Sequence, residues 1–148
     1  MKLLHLLAII CFTGCHPLFC NWGLGYEQLT TRPANEEIIG KYQLTEKSID
    51  FLEDRDFTAD EYSLTLSDGG QFKFKNGPDL IFNSWGTTSQ TLLDKQGKWS
   101  VSCGDSYDCV IELEGICVVP LAEKDGNLAI LITIGDGDEC NGIVYEKK

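Results

Sequence analysis

From Tyr62 to Lys75 the chain alternates apolar and polar residues almost without a break. Tyr62, Leu64 and Leu66 alternate with Ser63, Thr65 and Ser67, and Phe72 and Phe74 alternate with Gln71, Lys73 and Lys75. Side chains on a strand point to opposite faces in turn, so each run presents one apolar and one polar face. Asp68-Gly69-Gly70 stands between the runs, and glycine adopts the positive φ of a tight hairpin turn without strain. A lone hairpin is at best marginally stable in water. Its apolar face has to be covered by further elements, and this commits the chain to an antiparallel β architecture.

The same alternation recurs on both sides of the hairpin. Residues 38–44 form a first strand with Tyr42 and Leu44 on one face. Thr45 caps a short helix over 46–54 that turns Ile49 and Leu52 to the core. After the hairpin, Asn76-Gly77-Pro78-Asp79 makes a second turn into a short strand over 80–84, and 85–96 reads as a polar loop with Trp85 tucked inward. Strict alternation returns over 97–103, with Trp99, Val101 and Cys103 on one face, and over 109–113, with Cys109, Ile111 and Leu113. A further strand covers 117–121, where Pro120 marks an edge or a bulge. Residues 128–134 are apolar on both faces apart from Thr133, the pattern of a strand buried on both sides. A last strand covers 142–146. The chain is therefore mainly β, an antiparallel meander of eight or nine strands with one short N-terminal helix. Such a sheet closes into a barrel or folds into a two-layer sandwich, which shortens or removes its exposed edges.

The N-terminus has a separate logic. Met1-Lys2 followed by the apolar run Leu3 to Phe12 has the layout of a secretory signal peptide. At 1.5 Å per residue that run reaches only ~15 Å, too short to span a bilayer core as a helix. Phe12-Thr13-Gly14-Cys15 resembles the lipobox of bacterial lipoproteins. The resemblance implies cleavage before Cys15, diacylation of that residue and acylation of the new amino terminus. It divides the chain into a lipoprotein signal peptide (1–14), a lipidated N-terminus with a tether (15–37) and a β domain (38–148). His16, where an Asp commonly retains such proteins in the inner membrane, implies the outer membrane facing the periplasm. The partner so implied is the membrane, through the lipid anchor. The tether holds Pro17, Gly23, Gly25 and Pro33 and shows little periodicity. Its residues 16–37 could reach ~70 Å at about 3.3 Å each. Leu18, Phe19, Trp22 and Tyr26 imply that part of it packs on the domain or lies near the membrane.

Charge and cysteine use narrow the function. Without residues 1–14, eleven Lys and Arg stand against twenty-three Asp and Glu, a side-chain charge of −12. That disfavours nucleic acid and anionic headgroups as partners, and suits a basic protein, a cation, or solubility alone. With Cys15 acylated and Cys11 removed, five cysteines remain: Cys20, Cys103, Cys109, Cys117 and Cys140. In an exported chain these read as disulfides with at least one thiol left over. Cys103 and Cys109 point the same way from opposite arms of a hairpin loop over 104–108, a geometry that suits a cross-strand bridge. Cys20, Cys117 and Cys140 are further candidate partners, and two bridges among five cysteines can be drawn in about fifteen ways.

Catalytic constellations are not visible. Both histidines precede residue 17, so the β domain can build neither a Ser-His-Asp nor a Cys-His arrangement, nor a His-ligated zinc site. The gaps between Cys103, Cys109, Cys117 and Cys140 match no zinc-knuckle pattern. Asp136, Asp138 and Glu139 are weak candidates for a cation. Cys140 and Asn141 fall where a calcium loop of the EF-hand type needs a ligand and a glycine, so an acidic turn is the simpler reading. No phosphate-binding loop and no cofactor motif is present. The expectation is a chain that is not an enzyme and carries no cofactor.

Gly40-Lys41-Tyr42-Gln43-Leu44, then Leu66-Ser67-Asp68-Gly69-Gly70-Gln71-Phe72, then Gly97-Lys98-Trp99 resemble the small lipocalin-like lipoproteins of bacteria. Ile134-Gly135-Asp136-Gly137-Asp138 and Gly142-Ile143-Val144-Tyr145-Glu146-Lys147 are similar to the tail of one group of these. The resemblance covers about residues 38–147 and implies a lipocalin-like barrel, with no activity attached. The expected function is a lipid-anchored, non-catalytic binding or structural module of the cell envelope. The charge, and a likeness in size and layout to barrel-shaped lysozyme inhibitors, favour a second reading. In it, an acidic inhibitor or immunity lipoprotein neutralises a cationic enzyme such as a lysozyme or toxin. A third is a carrier of a small apolar ligand, which requires an interior not already filled by Tyr42, Phe72, Phe74 and Trp99.

Overall fold

A computed structural model describes residues 20–83, 88–105 and 107–148. The stretch read as a signal peptide and lipobox, with Cys15, and Trp85 lie outside the described residues. The elements run β1 (Glu27–Gln28), α1 (Asn35–Ile38), β2 (Gly40–Leu44), α2 (Glu46–Glu53), β3 (Ser63–Ser67), β4 (Gln71–Pro78), β5 (Leu92–Gly104), β6 (Tyr107–Leu113), β7 (Cys117–Lys124), β8 (Asn127–Thr133) and β9 (Gly142–Lys147). Strands β2 to β9 pair with their neighbours in chain order. β9 then pairs antiparallel with β2, Leu44 opposite Tyr145 and Tyr42 opposite Lys147, and this closes an eight-stranded antiparallel barrel. β1 is an extra two-residue strand on β7.

The central hairpin forms with Leu64 opposite Phe74 and Leu66 opposite Phe72, and Gly69 and Gly70 take φ of 78° and 71° at its turn. Thr45 caps α2, its hydroxyl accepting from the Ser48 N–H at 3.3 Å. Ser48 is itself buried, and its Oγ accepts from the Val144 N–H at 2.8 Å. That bond ties α2 to the barrel wall. Leu52 and Phe57 pack into the core beside it.

Two strands change partner along their length, which shears the barrel. β5 pairs with β4 through Lys98 and with β6 from Trp99 onward. β7 pairs with β6 from Cys117 to Pro120 and with β8 from Leu121 to Lys124. The β8-facing edge of β7 is thus open along its first half, and Pro120 stands at the end of that edge. A residue without an N–H leaves one group fewer unpaired there.

Five sequence expectations are corrected. Ile38 does not begin the first strand but ends α1, where the Glu37 carboxylate accepts from the Ala34 N–H at 2.8 Å. Ile38 is thereby buried in the core, and the Tyr42 hydroxyl donates to its carbonyl at 2.6 Å. Asn76-Gly77-Pro78 is no turn: β4 runs through it with a bulge, Asn76 at φ 54°. Residues 80 and 81 belong to a 3-10 turn, Asp79–Ile81, in place of a strand, and this turn buries both Leu80 and Ile81. β5 begins at Leu92, five residues before Gly97. Among the described residues its first half pairs with β4 alone, and Asp94, Lys95 and Gln96 are exposed and resemble a loop in sequence. Finally, the β5–β6 hairpin is tighter than the 104–108 loop, since Gly104 pairs with Tyr107.

Candidate functional site

The inward residues of the barrel are large. Tyr42, Leu64, Leu66, Phe72, Phe74, Ile111, Leu113, Leu121, Ile130, Ile132, Ile143 and Tyr145 are all at most 2% exposed and belong to one cluster that also takes in Trp99. Phe74 sits at its aromatic centre, edge-on to Phe72, Phe82 and Tyr145 with ring centroids 5.8, 5.5 and 5.6 Å apart. The Trp99 indole N–H donates to the Ser67 carbonyl at 3.1 Å, which locks the ring across the β3–β4 turn. A small apolar molecule inside would have to displace these side chains.

Two interior hydroxyls have no partner among the described residues, those of Tyr62 and Tyr145. Burial pushes the Tyr145 phenol well above its ordinary pKa, and the nearby Tyr62 adds to the shift. A buried hydroxyl that pairs with nothing is a net loss on folding. Tyr145→Phe is expected to raise the urea midpoint, by about 1 kcal/mol in unfolding free energy. A lowered midpoint would show that the hydroxyl is paired.

The sequence reading set part of residues 16–37 against the domain but missed its form, which is a strap. Residues 20–33 run along the outside of the barrel from the β8–β9 loop toward β6. β8 is apolar on both faces: Ile130 and Ile132 face in, while Ala129 and Leu131 join Ala122 and Val144 in a second cluster on the outer wall. Trp22 and Tyr26 of the strap cover that cluster. A Cβ at Gly142 would overlap the Trp22 indole, so the strap seats only because this position is glycine. The Tyr26 hydroxyl donates to Glu146 at 3.3 Å, and Lys124 lies 5.3 Å from its ring centroid. Burial, then the Glu146 charge, push the Tyr26 phenol up to about 12. Further on, the strap becomes a wedge between the diverging β6 and β7. Leu29 N–H donates to the Leu121 carbonyl at 3.0 Å, and its own carbonyl accepts from the Cys109 N–H at 2.6 Å. Arg32 then reaches the Val101 carbonyl at 2.9 Å on β5. The signal for the strap is in the sequence: a strand apolar on both faces needs a cover on its outer side.

Disulfides join Cys20 to Cys140, with Cα atoms 5.3 Å apart, and Cys103 to Cys109, 4.1 Å apart. The first pins the start of the strap to the β8–β9 loop. Cys117 is a free thiol, half-buried, its pKa pushed up to about 12 by burial, so it is a poor nucleophile. Asp136, Asp138 and Glu139 lie in and just before a 3-10 turn, Gly137–Glu139. There the Asp136 carboxylate accepts from the Asp138 N–H at 3.3 Å and that of Glu139 from Asn141 at 3.4 Å. Among the described residues no three His, Cys, Asp or Glu groups converge as metal ligands do. A groove of about 540 Å³ runs between the strap and the wall, lined by Trp22, Leu24, Tyr26, Lys47, Lys124 and Glu146 among others.

On another part of the wall, Glu61 bridges strands. Lys41 donates to it from β2, Lys75 from β4 at 2.9 Å and Gln43 from β2 at 3.3 Å. Hydrogen bonds from Lys41, Lys75 and Gln43, in that order, hold the carboxyl down to about 2, against 4.5 ordinarily. A depressed carboxyl favours the folded state above the unfolded pKa, and that contribution is lost as pH falls from about 4.5 toward 2. Glu61→Gln is therefore expected to flatten the decline of the urea midpoint across that window and to leave the rest of the pH profile alone. An unchanged acid limb would refute this.

The fold and the wall together define an eight-stranded antiparallel β-barrel of the general lipocalin-like kind, closed, filled and strapped on one side. No protein-family model matches the chain, and no curated protein or solved structure is significantly similar to it.

Proposed function

We propose that this chain is a lipid-anchored, non-catalytic module of the cell envelope that binds a partner on its outer surface. The filled interior carries the reading, since Tyr42, Phe72, Phe74 and Trp99 occupy the space in which a carrier would hold its cargo. The lipobox-like Phe12-Thr13-Gly14-Cys15 supports anchoring at the outer membrane through Cys15. A domain without histidine, whose free thiol is held protonated by burial, supports a role without catalysis.

The charge of −12 favours a second reading of the same surface, an inhibitor or immunity protein that neutralises a cationic enzyme. Binding steered by charge weakens as salt screens it. Titration of the purified protein with a basic lysozyme is expected to give affinity at low ionic strength that falls roughly tenfold or more at physiological salt. Affinity indifferent to salt would exclude charge as the driving force. Intact mass of protein made in a lipoprotein-processing bacterium tests the anchor directly. The expected species begins at Cys15 and carries acyl chains, and an unacylated species starting elsewhere would overturn it.

A further inference from the structure

We infer that the barrel is held with its Cys20–Cys140 end toward the lipid surface and its opposite end, carrying the β3–β4 turn, directed away from it. This orientation rests on the acylation of Cys15 proposed above. A tether over 16–37 would reach ~70 Å and leave the barrel free to present any face. The strap removes that freedom. Cys20 is bonded to Cys140, Trp22 is seated over Gly142, and Leu29 is hydrogen-bonded between β6 and β7, so among the described residues the chain is fixed to the barrel from residue 20 onward. Five residue steps separate it from Cys15, a reach of at most ~18 Å.

The ladder registers place that fixed point at one end of the barrel. Tyr145 lies opposite Leu44, so β9 begins, and the β8–β9 loop lies, past the last residue of β2. Leu66 lies opposite Gly40, so Asp68-Gly69-Gly70 lies past the first. From the start of β9 to the end of β3 is roughly 25 Å along the strands, at about 3.3 Å per residue. The leash is thus shorter than the barrel. The β8–β9 loop, which holds Cys140, is the part of the barrel nearest the lipid. Asp136, Asp138 and Glu139 on the same loop keep it off anionic headgroups, so the leash sets the standoff and adhesion does not. The far end presents Asp68, Asp105, Asp108 and Asp125 from three turns, all exposed, toward whatever the module meets.

The test uses the full lipidated chain in vesicles of zwitterionic lipid that carry an acceptor dye on the headgroup. An azide-bearing side chain replaces Asp138 or Asp68 and is labelled with a donor. Energy transfer is expected to be about twofold or more higher from position 138 than from position 68, because the short leash holds the two at different heights. A long Gly/Ser insert between Phe19 and Cys20, which leaves the disulfide and the barrel untouched, is expected to bring the ratio to about one. Equal transfer from the two positions without the insert, on protein whose acyl chains are confirmed by mass, overturns the orientation alone. Protein without acyl chains overturns the anchoring and the orientation together.

Discussion

Phe74→Ala is expected to lower the unfolding free energy by about 3–5 kcal/mol, the largest loss for any single residue of the barrel. The residue is fully buried, and its ring meets Phe72, Phe82 and Tyr145 edge-on. It stands on β4 between β3 and β5, opposite Leu64 on one side and Lys95 on the other. The ladder to β3 runs unbroken from Ser63 to Ser67, so that wall cannot move in to fill the space. The lost burial and the retained cavity therefore add. Set against a total of about 5–15 kcal/mol for a domain, this is about a fifth of the stability or more. Urea unfolding of Phe74→Ala beside Phe74→Leu measures it, the second expected to lose much less. A loss below about 1 kcal/mol in the alanine variant would mean that the interior is loosely filled, and would reopen it to a ligand.

The second large effect belongs to the strap. Removing the Cys20–Cys140 bridge in a Cys20→Ser, Cys140→Ser double variant is expected to destabilise the fold by about 2–5 kcal/mol, toward the upper end. The chain between these cysteines is 120 residues, almost the whole described molecule. Cross-linking so long a loop takes much more entropy from the unfolded chain than the Cys103–Cys109 bridge, which spans six. The entropy model gives about 5 kcal/mol for the long loop and about 2 for the short one. The matching Cys103→Ser, Cys109→Ser variant supplies the contrast. Equal losses would assign the effect to native packing at the bridges. Hydrogen exchange adds a local readout: amides of residues 20–26 are expected to lose protection in the first variant while that of Leu29, held between β6 and β7, keeps it.

What the sequence disclosed follows from how far each feature reaches. The Tyr62–Phe74 hairpin and the Thr45-capped helix are written in residues that touch their own neighbours, and period and capping chemistry find them. The first half of β5 hides because a strand paired on one side only has polar residues in both directions, and Asp94, Lys95 and Gln96 then imitate a loop. Leu80 and Ile81 hide for the opposite reason: two adjacent apolar residues fit a strand or a helical turn equally well. The strap is legible only in part: Trp22 and Tyr26 mark residues 16–37 as packing on the domain, but their seat depends on Gly142 and Glu146, as that of Arg32 depends on Val101, far along the chain. Its need was visible in β8, and its identity was not. The grouping of Lys41, Lys75 and Glu61 is likewise a product of register across β2, β3 and β4.

The seam between β2 and β9 has a consequence for how this chain is made. Tyr42 pairs with Lys147, so the first and last strands of the barrel meet only after every strand between them has been synthesised. The hairpins between them join neighbours and can form early, whereas seam closure needs contacts of high sequence separation and comes late. Until then β2 and β8 each present an unsatisfied row of backbone groups, and the second also bears the apolar face of Ala129 and Leu131. An intermediate lacking its last strand would be a template for strand addition from another copy.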